Sequence, residues 1–130
     1  MDAIKFYMDE SIISVDSQST VLETVKIMRE KKIGSVLVTE KDEKIGVFTE
    51  TDLLRKVIAE ESSPKEMLIS SVMSKPLLTI DCEMTMVAGF LKMQQNNIRH
   101  LAITEKGKII GVISIKDIAN YYVNKFRPNN

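Results

Sequence analysis

Apolar and polar positions alternate along the chain in short blocks, and the period changes from block to block. Val21, Leu22, Val25 and Met28 recur at helical spacing, so the helix they predict buries one face. Thr20 stands at its N-cap, and Glu23, three residues on, occupies the reciprocal position of a capping box. Arg29-Glu30-Lys31-Lys32 reads as the solvated end of that helix and Gly34 as its exit. Residues 35–39 (Ser-Val-Leu-Val-Thr) are rich in β-branched side chains and predict a strand. Lys41-Asp42-Glu43-Lys44 is a charged turn, and residues 45–49 complete a hairpin. A second helix is expected over residues 51–60, carrying the apolar Leu53, Leu54, Val57 and Ile58. Ahead of all this, residues 12–15 read as a short extended segment and residues 2–8 as a helical or irregular lead-in.

The same succession then returns. Aligning each residue with the one sixty-five positions later needs no gap over residues 8–58. Met8 meets Met73, Thr20 meets Thr85, Met28 meets Met93, and Asp52 meets Asp117. Thr39-Glu40-Lys41 meets Thr104-Glu105-Lys106, and Ile45-Gly46-Val47 meets Ile110-Gly111-Val112. The second copy predicts a strand over 77–80 and a helix after Thr85 with Met86, Val87, Phe90 and Met93 inward. A hairpin over 101–104 and 109–114 and a last helix from about Lys116 complete it, with Arg127-Pro128-Asn129-Asn130 as a frayed tail. Glu60-Glu61-Ser62-Ser63 marks the boundary. Ser63, Pro64 and Glu66 look like a further helix start. The expectation is an α+β fold of two tandem β-α-β-β-α repeats, 1–62 with the lead-in and 63–130 with the inter-repeat helix. Each unit is small for a separate core, so the two should pack together with pseudo-two-fold symmetry and a cleft where the copies meet.

Composition narrows the function. Eighteen basic and 18 acidic residues cancel, which argues against general affinity for nucleic acid or anionic membrane. No apolar run approaches the ~20 residues of a membrane span, and residues 1–5 lack the form of a secretory signal, so a cytoplasmic protein without membrane insertion is expected. One cysteine, Cys82, and one histidine, His100, cannot assemble a Cys/His metal cluster. With no clustered carboxylates at catalytic spacing either, the chain does not read as an enzyme.

The chemistry-bearing stretch is Gly46-Val47-Phe48-Thr49-Glu50-Thr51-Asp52 and its copy Gly111-Val112-Ile113-Ser114-Ile115-Lys116-Asp117. In each, a β-run ends on a hydroxyl residue, an aspartate follows three positions on, and a helix begins. The turn aims helix N–H groups and one carboxylate at the same place, which suits a ligand bearing a phosphate and a diol. The same residues are also what a plain capping box needs, and both readings stand on the residues alone. Arg99 and His100 replace Gly34 and Ser35 of the first copy, and a cation there strengthens a bond to phosphate.

With both turns, Val72-Met73-Ser74-Lys75-Pro76-Leu77-Leu78-Thr79-Ile80 and Ile98-Arg99-His100-Leu101-Ala102-Ile103, residues 8–123 resemble a tandem pair of CBS domains, a Bateman module. Nothing is left over for a catalytic domain, so the resemblance is to a stand-alone pair. It implies no required cofactor and an adenine nucleotide (AMP, ADP or ATP) or related adenosyl ligand between the motifs. It also implies a homodimer and a regulated enzyme or transporter as partner. Asp52 and Asp117 would then bind ribose hydroxyls, and Thr49 and Ser114 phosphate or ribose. Ser14, Val15, Thr79 and Ile80, with Ser35, Val36, His100 and Leu101, would line the adenine slot. Arg99 makes the second-copy site the stronger. The alternative function is a structural or dimerisation module with vestigial sites. Gly89, Phe90 and Leu91 suggest a close helix–helix approach suited to a dimer.

Overall fold

The computed structural model describes residues 2–127, so Pro128, Asn129 and Asn130 of the expected tail lie outside the described residues. Two three-stranded sheets organise it, each with order first-second-third in the sequence of its repeat. In the first repeat, β1 (Ser14–Asp16) pairs parallel with β2 (Ser35–Glu40), which pairs antiparallel with β3 (Glu43–Thr49). Helix α1 (Val21–Lys31) makes the crossover, and α2 (Glu50–Asp52) follows β3. The second repeat gives β4 (Thr79–Asp81), α3 (Met86–Asn96), β5 (His100–Glu105), β6 (Lys108–Ser114) and α4 (Ile115–Phe126). The expected β-α-β-β-α order therefore appears twice.

Local signals act much as the sequence predicts. Thr20 and Glu23 form the reciprocal capping box, and Thr85 caps α3 through the Ala88 N–H. The expected exit at Gly34 is corrected. The chain leaves α1 at Lys32, whose φ of 57° is left-handed, with its N–H on Arg29 O and the Ile33 N–H on Met28 O. Asn97 ends α3 in the same way. This paired closure satisfies two terminal carbonyls and returns Ile33 and Ile98 to their cores. The segment after Ser63 is also corrected: the Glu66 and Met67 N–H groups close one turn on Ser63 O, and no helix grows from it. The second helix is shorter in α form than expected. It becomes a π-helix over Leu53–Ile58, and of its apolar residues Val57 is buried while Leu54 and Ile58 are exposed.

Both hairpins turn through two left-handed residues, Lys41-Asp42 (φ 52° and 65°) and Lys106-Gly107 (φ 51° and 78°). That geometry matches strand twist and favours glycine. Asp42→Gly should therefore raise stability by about 1 kcal/mol, read from the urea midpoint, while Gly107→Asp should lower it by a similar amount.

The packing units are cut differently from the repeats. One compact unit runs to Ile12 and resumes at Leu78; the other is Ile13–Leu77. The division at residue 62 follows the chain, whereas each lead-in packs on the sheet of the other repeat. Residues Ile4–Phe6 form a 3-10 turn beside β4–β6, with Ile4 fully buried among Ile80, Met86, Met93 and Ile118. Ile69–Ser71 is its counterpart beside β1–β3, with Ile69 fully buried among Val21, Phe48 and Val57. Glycine makes the exchange possible. A Cβ on Gly111 would lie 2.9 Å from Asp9 O, and one on Gly46 2.8 Å from Ser74 O. There the lead-ins form paired backbone bonds, Asp9 with Val112 and Ser74 with Val47. Gly89 is likewise a seat for Ile4, whose Cδ1 would be 3.0 Å from an added Cβ. Ile118 Cδ1 of α4 would lie 4.0 Å from the same Cβ, so Gly89 also sits where α3 approaches α4 within the unit.

Candidate functional site

In each unit the strand entry and the hydroxyl cap meet at one end of the sheet. His100 is the cross-strand partner of Ser114, and Ser35 that of Thr49. The Ile115 N–H donates to Arg99 O (2.8 Å), and the Glu50 N–H donates to Gly34 O (3.1 Å). The hairpin thereby carries residues fourteen to sixteen positions apart in the chain to the start of the following helix.

Both turns are true capping boxes. Ser114 Oγ accepts from the Asp117 N–H, and Asp117 Oδ2 accepts from the Ser114 N–H (2.8 Å) and hydroxyl (3.1 Å). Both bonds fall on Oδ2, so Oδ1 takes no part in the cap. Thr49 and Asp52 repeat the reciprocal backbone bonds at 3.2 and 3.0 Å. Beyond the cap the two sites part company. Asp52 is buried; its Oδ1 accepts the Ser74 hydroxyl at 2.7 Å and pairs with Lys56 Nζ at 2.9 Å. Lys56 Nζ also donates to Val72 O and Ser74 Oγ. Asp117 is only half-buried, and Tyr121 stands where Lys56 would be. Its hydroxyl turns away to the Asp2 carboxylate, holding that carboxyl below its ordinary range and pushing the phenol up.

The charge around the two turns differs as well. Glu50 lies over Gly34, where an added Cβ would be 3.0 Å from its Oε1, so the first turn carries two carboxylates. The second carries Arg99 and Lys116, both exposed, beside the single carboxylate of Asp117. The first turn sets Lys56 against two carboxylates and the second sets Arg99 and Lys116 against one, so the second is the more favourable for an anion.

The remaining candidates separate by exposure. Val15, Val36, Ile80 and Leu101 are buried in their cores, with Val15 and Ile80 each 7% exposed. Ser14 is exposed, and Ser35 and Thr79 are half-buried. The Thr79 carbonyl accepts from Lys92 Nζ, a residue the sequence pattern gave no reason to single out. Cys82 is buried and its thiol is pushed up, first by burial. Among the described residues no group of three or more His, Cys, Asp or Glu could hold a metal ion. Nor is any helix among them long and apolar enough to cross a membrane.

Two α+β repeats, each ending its hairpin in a hydroxyl-x-x-Asp helix start and each closed by the other's lead-in, define a tandem module. The chain belongs to the CBS domain family, whose model matches residues 3–59 and 69–124. It is 38% identical over 109 residues to protein MK0525 of Methanopyrus kandleri, covering 82% of this chain and 56% of that one. The chain thus spans little more than half the length of this relative. A conserved protein from Pyrococcus horikoshii has the same fold at a TM-score of 0.87 and 28% identity, over 100% of this chain and 98% of that chain. The CBS domain pair of protein MJ0100, solved with 5′-methylthioadenosine and S-adenosyl-L-methionine, superposes at a TM-score of 0.86 and 18% identity, covering 96% and 98%.

Proposed function

We propose that the chain is a regulatory module that binds an adenine nucleotide or adenosyl ligand at the Ser114–Asp117 turn and thereby modulates a partner protein. The observation that carries this reading is the difference between the two capping boxes. Asp117 keeps Oδ1 outside its cap, with Arg99, His100, Lys116 and the α4 N-terminus beside it. Asp52 is committed to Ser74 and Lys56. A carboxylate can accept from both hydroxyls of a ribose, while helix N–H groups and Arg99 take the phosphate. The adenosyl ligands of the MJ0100 domain pair support the ligand class. AMP, ADP and ATP are the candidates, bound one per chain at the second repeat. The module acts by binding, not by catalysis. A homodimer fits the exposed apolar side chains of Leu91 on α3 and Val123 and Phe126 on α4.

Calorimetric titration with AMP, ADP and ATP tests the reading. Saturable binding at one site per chain is expected, and the ranking names the ligand. No heat and no shift in melting temperature with any of the three would overturn the nucleotide reading in favour of a different adenosyl ligand or a dimerisation module with vestigial sites.

A further inference from the structure

In the Ile13–Leu77 unit a lysine ammonium sits in a cage of oxygens beside the turn aspartate. Lys56 Nζ is 2.9 Å from Asp52 Oδ1, 3.2 Å from Val72 O and 3.2 Å from Ser74 Oγ. Three acceptors thus meet the three donors of an ammonium.

The other unit repeats the backbone of that cage. Val72 and Tyr7 each close a 3-10 turn, with φ of −128° and −129°, and their N–H groups donate to Ile69 O and Ile4 O. Ser74 pairs with Val47 through two backbone bonds, and Asp9 pairs with Val112 in the same way. Asp117 closes the same capping box as Asp52. The side chains differ: by the sixty-five-residue register, Tyr121 stands for Lys56 and Asp9 for Ser74. The Tyr121 hydroxyl turns to Asp2, and Lys125 Nζ lies against that hydroxyl at 3.4 Å. Beside Asp117 there is an open groove of about 390 Å³, lined by Tyr7, Asp117, Asn120, Tyr121, Asn124 and Lys125. That is room for an organic group rather than a bare ion.

Charge and shape select the occupant. Asp2, Asp9 and Asp117 outnumber Lys125 around the groove, and neither Arg99 nor Lys116 lines it. A cation is attracted there. Tyr7 and Tyr121 meet edge-on at 4.7 Å between ring centroids and make an aromatic wall. An alkyl stem packs on such rings, and its charged end is drawn to their faces. Asn120 and Asn124, one helical turn apart and exposed, add carboxamide acceptors. Phe6, Val123 and Phe126, on the same lead-in and helix, expose apolar surface that a protein covers and a free amine does not.

We infer that this groove receives a lysine or arginine side chain of the regulated partner, with its charged end on Asp117 Oδ1 as Lys56 lies on Asp52. The ribose of the proposed nucleotide claims the same oxygen, so nucleotide and partner exclude one another. The exclusion rests on the proposed function; the cation site rests on the groove and on the pattern at Lys56.

Titration of the full chain followed by NMR tests it, with Nα-acetyl-lysine methylamide, its arginine counterpart and the uncharged norleucine counterpart as probes. The two charged probes should shift the Asn120, Asn124 and Tyr7 signals saturably and bind about tenfold more tightly than the norleucine probe. Asp117→Asn should abolish that advantage. Saturating AMP should raise the apparent Kd of the lysine probe about tenfold or more. Tyr121→Lys supplies the ammonium from within the chain. It should lose probe binding and melt about 3 °C above Tyr121→Met, which gives up the Asp2 contact equally and should keep probe binding. Charged probes no tighter than norleucine, or bound equally by Asp117→Asn, would overturn the inference. So would magnesium or calcium chloride shifting these signals where the lysine probe does not. Bound AMP that leaves the lysine probe in place would overturn the exclusion alone. Probe binding without any AMP binding would overturn the nucleotide reading and leave the cation site standing.

Discussion

Asp117→Ala is expected to weaken AMP binding about thirtyfold or more, while Asp52→Ala leaves it within about twofold. Two hydrogen bonds from ribose hydroxyls to a carboxylate are worth about 2–4 kcal/mol together in a half-buried setting, and 1.4 kcal/mol is a factor of ten. Stability should respond in the reverse order. Asp117→Ala removes a capping side chain, costing about 1 kcal/mol. Asp52→Ala removes the cap and also strands the Ser74 hydroxyl and Lys56 ammonium, both of which it holds. Breaking a fully buried pair costs about 3–5 kcal/mol. Lys56 is 43% exposed and can rehydrate, so about 2 kcal/mol is the expected loss. Calorimetry and urea denaturation of the two variants read the crossed pattern directly. Equal losses of affinity in both would show two equivalent ligand sites and sink the asymmetry. A further variant, Lys56→Met, separates the roles: it should lower stability modestly and leave the affinity at Asp117 unchanged.

Ile4→Ala should be among the most damaging single substitutions in the chain, lowering stability by about 2–5 kcal/mol. The position lies in what the sequence presents as a lead-in, where truncation is ordinarily tolerated. Ile4 is completely buried, seated on Gly89 and packed with Met86, Met93 and Ile118. Its backbone is held as well, by the Ile4 N–H on Met84 O and the Lys5 N–H on Cys82 O. Two residues away, Phe6 is 71% exposed, and Phe6→Ala should change stability by less than about 0.5 kcal/mol. Thermal melts of the two variants decide the matter: a melting temperature for Ile4→Ala within a degree of wild type would show that the lead-in is not part of the core. Gly89→Val gives an independent reading, because it closes the seat from the other side. It should destabilise comparably, by overpacking rather than by a cavity.

The exchange of lead-ins accounts for a feature that the repeat alignment left unexplained. Gly46 and Gly111 sit in the stretch the sequence marks as ligand-binding, and the sequence alone assigns the glycines no role. Their neighbours are Ser74 O and Asp9 O, so they are there to let the lead-in pair with β3 or β6. The hydroxyl and the aspartate of the same motif remain the site's chemistry. A single motif thus serves packing at one end and, on the proposed function, recognition at the other.

What the sequence by itself determined is the local and periodic part of this protein. The capping boxes at Thr20, Thr49 and Ser114 are each written in four consecutive residues, since the bonds they predict span three positions. Strand and helix periods placed both hairpins within a residue or two, and the sixty-five-residue register fixed the repeat. The residues proposed to meet ribose and phosphate were legible because a hydroxyl cap and its aspartate at a helix N-terminus leave a local signature. The tertiary structure decided everything that depends on who packs against whom. The left-handed exit at Lys32 arises because Ile33 returns to the core, and propensity alone pointed to Gly34. Ile80, Leu101, Val15 and Val36 became core residues because alternate strand positions face inward, and the sheets' packing chose the face. The commitment of Asp52 needed Ser74, twenty-two residues away, and the hydroxyl of Tyr121, one turn on from Asp117, is drawn to Asp2, more than a hundred residues away. Contacts at such separations carry no period and no spacing, so only the folded chain can bring them together.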